Sequence, residues 1–369
     1  MNKKASYWEI SNSSDDNNNN RNEKQLVVCK LCPRECEIRE GGHGVCFVRG
    51  VIGGELRSFA YGVSSGMCID PIEKKPLYHF YPGSGVLSIG TIGCNLLCKF
   101  CQNWSISRSK DLSMMSAKAT AADVVAVAEN YGLKSIAYTY NEPTVFIEYA
   151  KDIAEVARAS GIHSVAVTAG FINAKPREDF FKLMDAANVD LKGFNSDFYS
   201  KVIGAKLESV LDTLKYIREE TNVWLEITNL LIPGVNDRES DIHAMCEWIV
   251  SNLGEHIPLH FSAFHPDWHM DDVPATPLKL LLRAKEIALL KGLRYVYLGN
   301  VRCKNNSTTI CHQCSEVLIE REGYVVDKKF WKIKENVEGK SVCAKCGEVV
   351  AGFFDKLPAD WGNKRIPIR

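Results

Sequence analysis

From Val86 to Leu298, short apolar runs alternate with amphipathic stretches of helical period. That is the pattern of β/α units feeding a largely parallel sheet. Val86 to Gly90, Ser135 to Thr139, His163 to Thr168, Val189 to Leu191, Val223 to Thr228, Ile257 to Ala263 and Arg294 to Leu298 read as strands. Ala121 to Asn130, Val145 to Ser160, Arg177 to Ala186, Leu207 to Glu220, Arg238 to Val250 and Leu278 to Leu290 read as the helices between them. Periodicity fits an open doubly wound sheet and a partial barrel equally well. In either case ligands belong at the carboxyl ends of the strands.

The flanks differ in composition. Residues 1–25 carry Ser13, Ser14, Asp15, Asp16 and four consecutive asparagines, which reads as a disordered tail. Residues 26–80 form a cysteine-rich segment and connector, too small for an apolar core of its own. Residues 81–302 hold the β/α units, and 303–369 read as a separate β-rich module built around two C-x2-C pairs. The 45 basic and 45 acidic residues cancel, and the net charge of +3 over 303–369 is too small to draw nucleic acid. The chain has neither the apolar run of about 18 residues a membrane span needs nor an apolar leader, so the expected address is cytoplasmic.

In a reducing compartment, 14 cysteines in clusters point to metal or iron–sulfur ligation rather than disulfides. The loop after the first strand of the β/α region reads Gly93-Cys94-Asn95-Leu96-Leu97-Cys98-Lys99-Phe100-Cys101. Thiolates at C-x3-C-x2-C can converge on one cluster and leave a metal corner open for chemistry. Phe100 is placed to keep water from it. Cys311, Cys314, Cys343 and Cys346 suit a closed tetrahedral zinc site. Cys29, Cys32, Cys36 and Cys46 fit zinc or a second iron–sulfur cluster, with zinc the preferred reading. Cys68, Cys246 and Cys303 read as ordinary buried thiols.

Other candidates lie where strands end. Tyr140-Asn141-Glu142-Pro143 offers a carboxylate, or an ordinary helix entry capped by Asn141. Thr168-Ala169-Gly170 and the Asp190/Lys192 pair could line a pocket, and Pro233-Gly234 with Asn236-Asp237 reads as a turn. His260, His265 and His269 are candidates on the substrate side.

The C-x3-C-x2-C loop with its aromatic residue resembles the radical SAM superfamily. The resemblance implies a [4Fe-4S] cluster on Cys94, Cys98 and Cys101 and S-adenosylmethionine on its open iron. One-electron reduction then yields a 5′-deoxyadenosyl radical that abstracts hydrogen from a substrate. It further implies that Glu142 receives the ammonium of S-adenosylmethionine and that Asn141 beside it contacts the cofactor, with Tyr140 and Asn141 in place of the glycines of a Gly-Gly-Glu element. Thr168, Asp190 and Lys192 would lie near the cofactor, and Ile232 against the adenine. Taken with Cys29 to Arg39, Asp70 to Phe80, Cys101-Gln102-Asn103-Trp104, Tyr140 to Thr144 and the C-terminal pairs, the sequence is similar to AmmeMemoRadiSam-system radical SAM enzymes, relatives of pyruvate formate-lyase activating enzymes. That implies a partial (β/α)6 TIM-like barrel with a zinc-ribbon-like C-terminal module. The implied partners are an electron donor and Memo-like and AMMECR-like proteins. Two other readings compete with hydrogen abstraction from an unidentified substrate: an activase that installs a glycyl radical on another enzyme, and a metal-bound scaffold for a protein or nucleic acid.

Overall fold

The computed structural model describes residues 3–11, 26–111, 113, 117–301 and 306–368. At its centre is one nine-stranded sheet. Its strands are β1 (Gly66–Pro71), β2 (Gly85–Gly90), β3 (Ser135–Tyr138), β4 (His163–Thr168), β5 (Ala186–Asp190), β6 (Trp224–Leu231), β7 (Leu259–Ala263), β8 (Val296–Gly299) and β9 (Ile366–Ile368). Strands β2 to β8 run parallel and neighbour one another in chain order; β1 joins β2 antiparallel and β9 joins β1 antiparallel. The strand order never reverses, so there is no switch point of the doubly wound kind.

The crossovers carry α1 (Ala121–Asn130), α2 (Ile147–Ala159), α3 (Ala174–Phe181), α4 (Leu207–Glu220), α5 (Glu239–Asn252) and α6 (Leu278–Leu290). Thr120 opens α1 with a capping box to Asp123, each satisfying a backbone N–H of the other. One face of every strand packs under these helices. Leu87, Ile89, Ile136, Ala166, Val189, Ile227 and Phe261 share a core with Val125, Ile153, Phe180, Leu214, Ile249 and Leu281. On the other face, Val86, Ala137, Val165 and Ala186 meet Ile72, Leu77 and Phe80, which plug the amino end. Toward the carboxyl end that face opens. Val167, Asp190, Leu230, Ser262 and Gly299 are half-buried where their strand neighbours are buried. This is the end where parallel sheets bind ligands.

Several boundaries differ from the sequence reading. Residues 3–11 are not a disordered tail: Lys3–Lys4 pairs with Arg57 and Ser58, and Trp8–Ser11 pairs with Leu26–Cys29. The order comes from a buried ion pair. Arg49 donates two 2.9 Å bonds to Glu148 and one of 2.6 Å to the Ser6 carbonyl, while Ser6 N–H donates to Glu148 at 2.8 Å. The rest of that predicted tail, and Cys303, lie outside the described residues. Strand β1 precedes residue 81 yet belongs to the main sheet, and β9 returns from the C-terminal segment to pair with it, so 303–369 is not a fully separate module. Helix α3 begins earlier than expected, with Pro176 accommodated in its first turn. The alanines of Ala186-Ala187 are then strand residues, because parallel pairing on both sides overrides their helical preference.

The C-terminal segment has its own small core of Leu318, Ile319, Val326, Ile333 and Val350 with Cys311 and Cys343. No helix among the described residues is long and apolar enough to cross a membrane.

Candidate active site

Gly93 sets the entry of the cysteine loop. Its φ is +84°, and a Cβ there would lie 2.2 Å from the Cys46 carbonyl oxygen, so only glycine fits. The neighbouring turn is clasped by the Asn141 carboxamide. Asn141 Oδ1 accepts from Thr91 N–H at 3.1 Å, and Nδ2 donates to Thr91 Oγ1, the Ile92 carbonyl and the Gly93 carbonyl at 3.0, 3.2 and 2.8 Å. Further along, Leu97 and Lys99 N–H donate to the carbonyls of Ile203 and Val202, on a π-helical turn over Tyr199–Ile203. Phe100 is buried, stacked on Phe198 at 6.4 Å. The loop therefore presents Cys94 and Cys101 half-buried and Cys98 buried.

Charged groups flank these thiols. Near Cys94 is Glu142, buried, whose Oε1 accepts from Thr144 N–H (3.1 Å), Thr144 Oγ1 (2.7 Å) and Thr168 Oγ1 (2.6 Å), while among the described residues Oε2 accepts only from Ala169 N–H (2.8 Å). Burial raises its pKa above the ordinary value against the pull of those bonds, and the Cys94 thiol is pushed up by its own burial and then by the nearby Glu142. A carboxylate oxygen with one donor keeps a lone pair free. Near Cys98, Lys192 donates to Asp190 at 2.9 Å. Burial opposes its charge, yet Asp190 and the Cys98 thiol hold its pKa above the normal lysine value. The Lys192 ammonium also lies 6.0 Å from the Phe100 ring centre.

The candidates Glu142, Thr168, Asp190, Lys192, Cys94, Cys98 and Cys101 thus share one neighbourhood. Others take different places. Glu142, not Asn141, caps the short helix Pro143–Phe146, and Asn141 positions the cysteine loop. Tyr140 keeps a backbone conformation that suits glycine, with φ +70°, and its hydroxyl donates to Asp70 at 3.0 Å. Ile232 has no exposed surface; Leu230, two residues earlier, is half-buried on the open face. The histidines do not gather. His260 is bonded to Glu226 at 2.6 Å in a buried network near the amino end, with Glu226 also accepting from Tyr78 and His79 N–H. His265 and His269 are exposed on a loop whose backbone touches the cysteine loop through His269 N–H and the Lys99 carbonyl.

A cluster of polar groups around Asp70 had little sequence signal beyond the Asp70 to Phe80 string. Its carboxylate takes bonds from Lys74, Lys75, Ser88, Tyr140 and Arg365, and Lys75 is pushed down to about 8 by burial. Four thiols close to single-ion spacing elsewhere: Cys311, Cys314, Cys343 and Cys346 lie within 4.8 Å of one another.

The comparisons with known proteins fit this geometry. A family model described as the radical SAM superfamily matches residues 88–249, the span carrying the cysteine loop, Glu142 and Lys192. An uncharacterized protein of Methanocaldococcus jannaschii is 42% identical over 324 residues, covering 88% of this chain and 95% of its own length. A second protein of that organism, whose name proposes a glycyl-radical enzyme activating enzyme, is 26% identical over 60% of this chain and 81% of its own. The pyruvate formate-lyase-activating enzyme of Clostridium pasteurianum is 23% identical over 50% of this chain and 81% of its own. With three cysteines at cluster spacing flanked by Glu142 and Lys192 in the matched span, and a close relative matched over nearly its whole length, the chain belongs to the radical SAM superfamily.

Proposed function

We propose that the protein holds a [4Fe-4S] cluster on Cys94, Cys98 and Cys101 with S-adenosylmethionine beside it, and uses the pair to abstract hydrogen from a substrate bound on the helix-free face of the sheet. The observation that carries this reading is that Glu142 lies near Cys94 and the Asp190/Lys192 pair near Cys98, so both charged groups share the neighbourhood of the three thiols. When bound and reduced by a low-potential one-electron donor, cluster and S-adenosylmethionine supply a 5′-deoxyadenosyl radical.

This chain's residues do the rest. Glu142 Oε2, fixed by Thr144, Thr168 and Ala169, accepts the ammonium of S-adenosylmethionine through a charge-assisted bond. Lys192, oriented by Asp190, offsets the negative charge of the thiolates next to Cys98. Phe100 on Phe198 excludes water from the loop. Leu230, Val167 and Ser262 offer the surface for adenine and substrate. The unreversed strand order suits a partial (β/α)6 barrel whose curvature wraps this face. In the C-terminal module, zinc on Cys311, Cys314, Cys343 and Cys346 accounts for sulfur separations of 3.6 and 3.7 Å. A tetrahedron with 2.3 Å Zn–S bonds has edges of about 3.8 Å.

The names of the relatives favour a second, narrower reading, in which the substrate is a glycine of another enzyme and this protein its activase. Both readings predict 5′-deoxyadenosine from S-adenosylmethionine under anaerobic reduction, absent in Cys98→Ala. Only the activase reading adds a radical signal on a glycyl-radical partner. A verified [4Fe-4S] preparation that yields no 5′-deoxyadenosine, with or without partners, would defeat both.

A further inference from the structure

Outside the proposed active site, Cys29, Cys32, Cys36 and Cys46 line a single cavity together with Leu31, Ile38 and Arg49. Apart from the thiols, Arg34, Arg49 and Asn95 the wall is apolar, and it encloses a cavity of about 20 Å³. One water needs roughly 10–15 Å³ on that measure. Cys32 lies near Cys29 and Cys46, and Cys46 near Cys29 and Cys36, so the four thiols line one space.

Their spacing separates one ion from a cluster. Four thiolates on a single zinc stand about 2.3 Å from it, and leave no room for a water between them. Among the described residues the side-chain group that closes to single-ion spacing is the C-terminal quartet, with all four sulfurs within 4.8 Å, and Cys29, Cys32, Cys36 and Cys46 do not form such a group. A polynuclear core sets its thiolates on the outer corners of a larger polyhedron and fills the space between them with its own atoms.

A second observation points the same way. Arg49, 1% exposed, lines the cavity, and among the described residues its Nε–H has no hydrogen-bond partner although both terminal nitrogens are engaged. A buried orphan donor is costly unless something accepts from it. Inorganic sulfide and thiolate sulfur are such acceptors, and hydrogen bonds to the sulfurs are a usual feature of these sites. The cavity also abuts the active-site loop. Asn95, next to Cys94, lines it, Arg34 donates to the Asn95 carbonyl, and the Cys46 carbonyl is the atom against which Gly93 packs.

We infer that Cys29, Cys32, Cys36 and Cys46 hold an iron–sulfur cluster, fully ligated by protein, directly behind the Cys94 loop. This replaces the zinc preferred from spacing alone, and it does not depend on the function proposed for Cys94, Cys98 and Cys101.

The test uses the full chain with Cys94→Ala, Cys98→Ala and Cys101→Ala combined, reconstituted anaerobically with ferrous iron and sulfide. The expected result is iron and acid-labile sulfide in equal amounts, about two to four of each per chain, with a paramagnetic signal on reduction. Both should vanish when Cys32→Ser and Cys36→Ser are added, while zinc at the C-terminal quartet stays and reports a folded chain. A triple variant that carries zinc beyond that quartet's share and no sulfide would overturn the inference. So would sulfide retained after Cys32→Ser and Cys36→Ser. Iron bound at the C-terminal quartet brings no sulfide and cannot mimic the expected result.

Discussion

Removing the Asn141 carboxamide separates a loop-positioning role from a cofactor contact. Asn141→Ala deletes four hydrogen bonds between 2.8 and 3.2 Å and strands the Thr91 N–H and the Gly93 carbonyl, both on buried residues, while the Ile92 carbonyl keeps its bond from the Thr91 hydroxyl. At about 1 kcal/mol per net bond, with partial relief by water because Asn141 is itself half-buried, the metal-free protein should lose about 2–4 kcal/mol. In a chain of this size that is a fall of roughly 5 °C in the unfolding midpoint. The assay is thermal unfolding of cluster-free protein under reducing conditions, paired with amide exchange across residues 91–104, whose protection should drop selectively. Asn141→Asp keeps one acceptor but sets a carboxylate against three oxygens, so it should cost more at pH 7 than Asn141→Ala. A residue that only touched S-adenosylmethionine would leave cluster-free stability unchanged. An Asn141→Ala loss below about 0.5 kcal/mol, with exchange unaltered, would therefore refute the reasoning.

Other outcomes follow from the same geometry. Gly93→Ala should cost more than about 3 kcal/mol, because its Cβ meets a backbone oxygen that cannot step aside; a variant as stable as wild type in thermal unfolding would contradict it. His79, buried between the Ala351 carbonyl and the Tyr297 hydroxyl, is pushed down to about 4 by burial, with Glu226 pulling the other way. The unfolded chain binds this proton near pH 6.5 and the folded one only near pH 4, so stability is lost as pH falls through that window, by up to about 3 kcal/mol. His79→Gln should flatten that part of the urea-midpoint profile, and an unchanged slope would count against it. Finally, Cys314→Ala with Cys343→Ala should release about one zinc per chain and expose residues 306–350 to protease while the sheet survives. Equal zinc in variant and wild type would move the metal elsewhere.

How much of this was legible in the sequence depends on whether the determinants are local. Strands and helices with clear period, such as Leu207–Glu220 and Leu278–Leu290, stand where they were expected, since their apolar faces repeat within the segment. The cysteine loop was legible because its spacing is itself the signal. By contrast, the strands within residues 3–11 depend on Arg49 and Glu148, the latter 142 residues away from Ser6, and next to an asparagine run nothing local announces them. Asn141 looked like a cap or a cofactor contact because its partners, Thr91 to Gly93, lie in another strand's loop. His260 shares a stretch of ten residues with His265 and His269, yet faces Glu226 within the sheet, because strand pairing rather than sequence distance decides its neighbours. The Asp70 cluster draws on five separate positions, one of them Arg365 near the C-terminus.

The central claim is that the three-cysteine loop and Glu142 form one site for S-adenosylmethionine. It is tested most directly by equilibrium binding of S-adenosylmethionine to anaerobically reconstituted wild type and Glu142→Gln, with iron, sulfide and the cluster spectrum checked in both. The account predicts an intact cluster in Glu142→Gln and affinity weakened by at least about tenfold, the loss of one charge-assisted bond of roughly 1.5–3 kcal/mol. Unchanged affinity with an intact cluster would place the amino acid end of S-adenosylmethionine elsewhere and contradict the account.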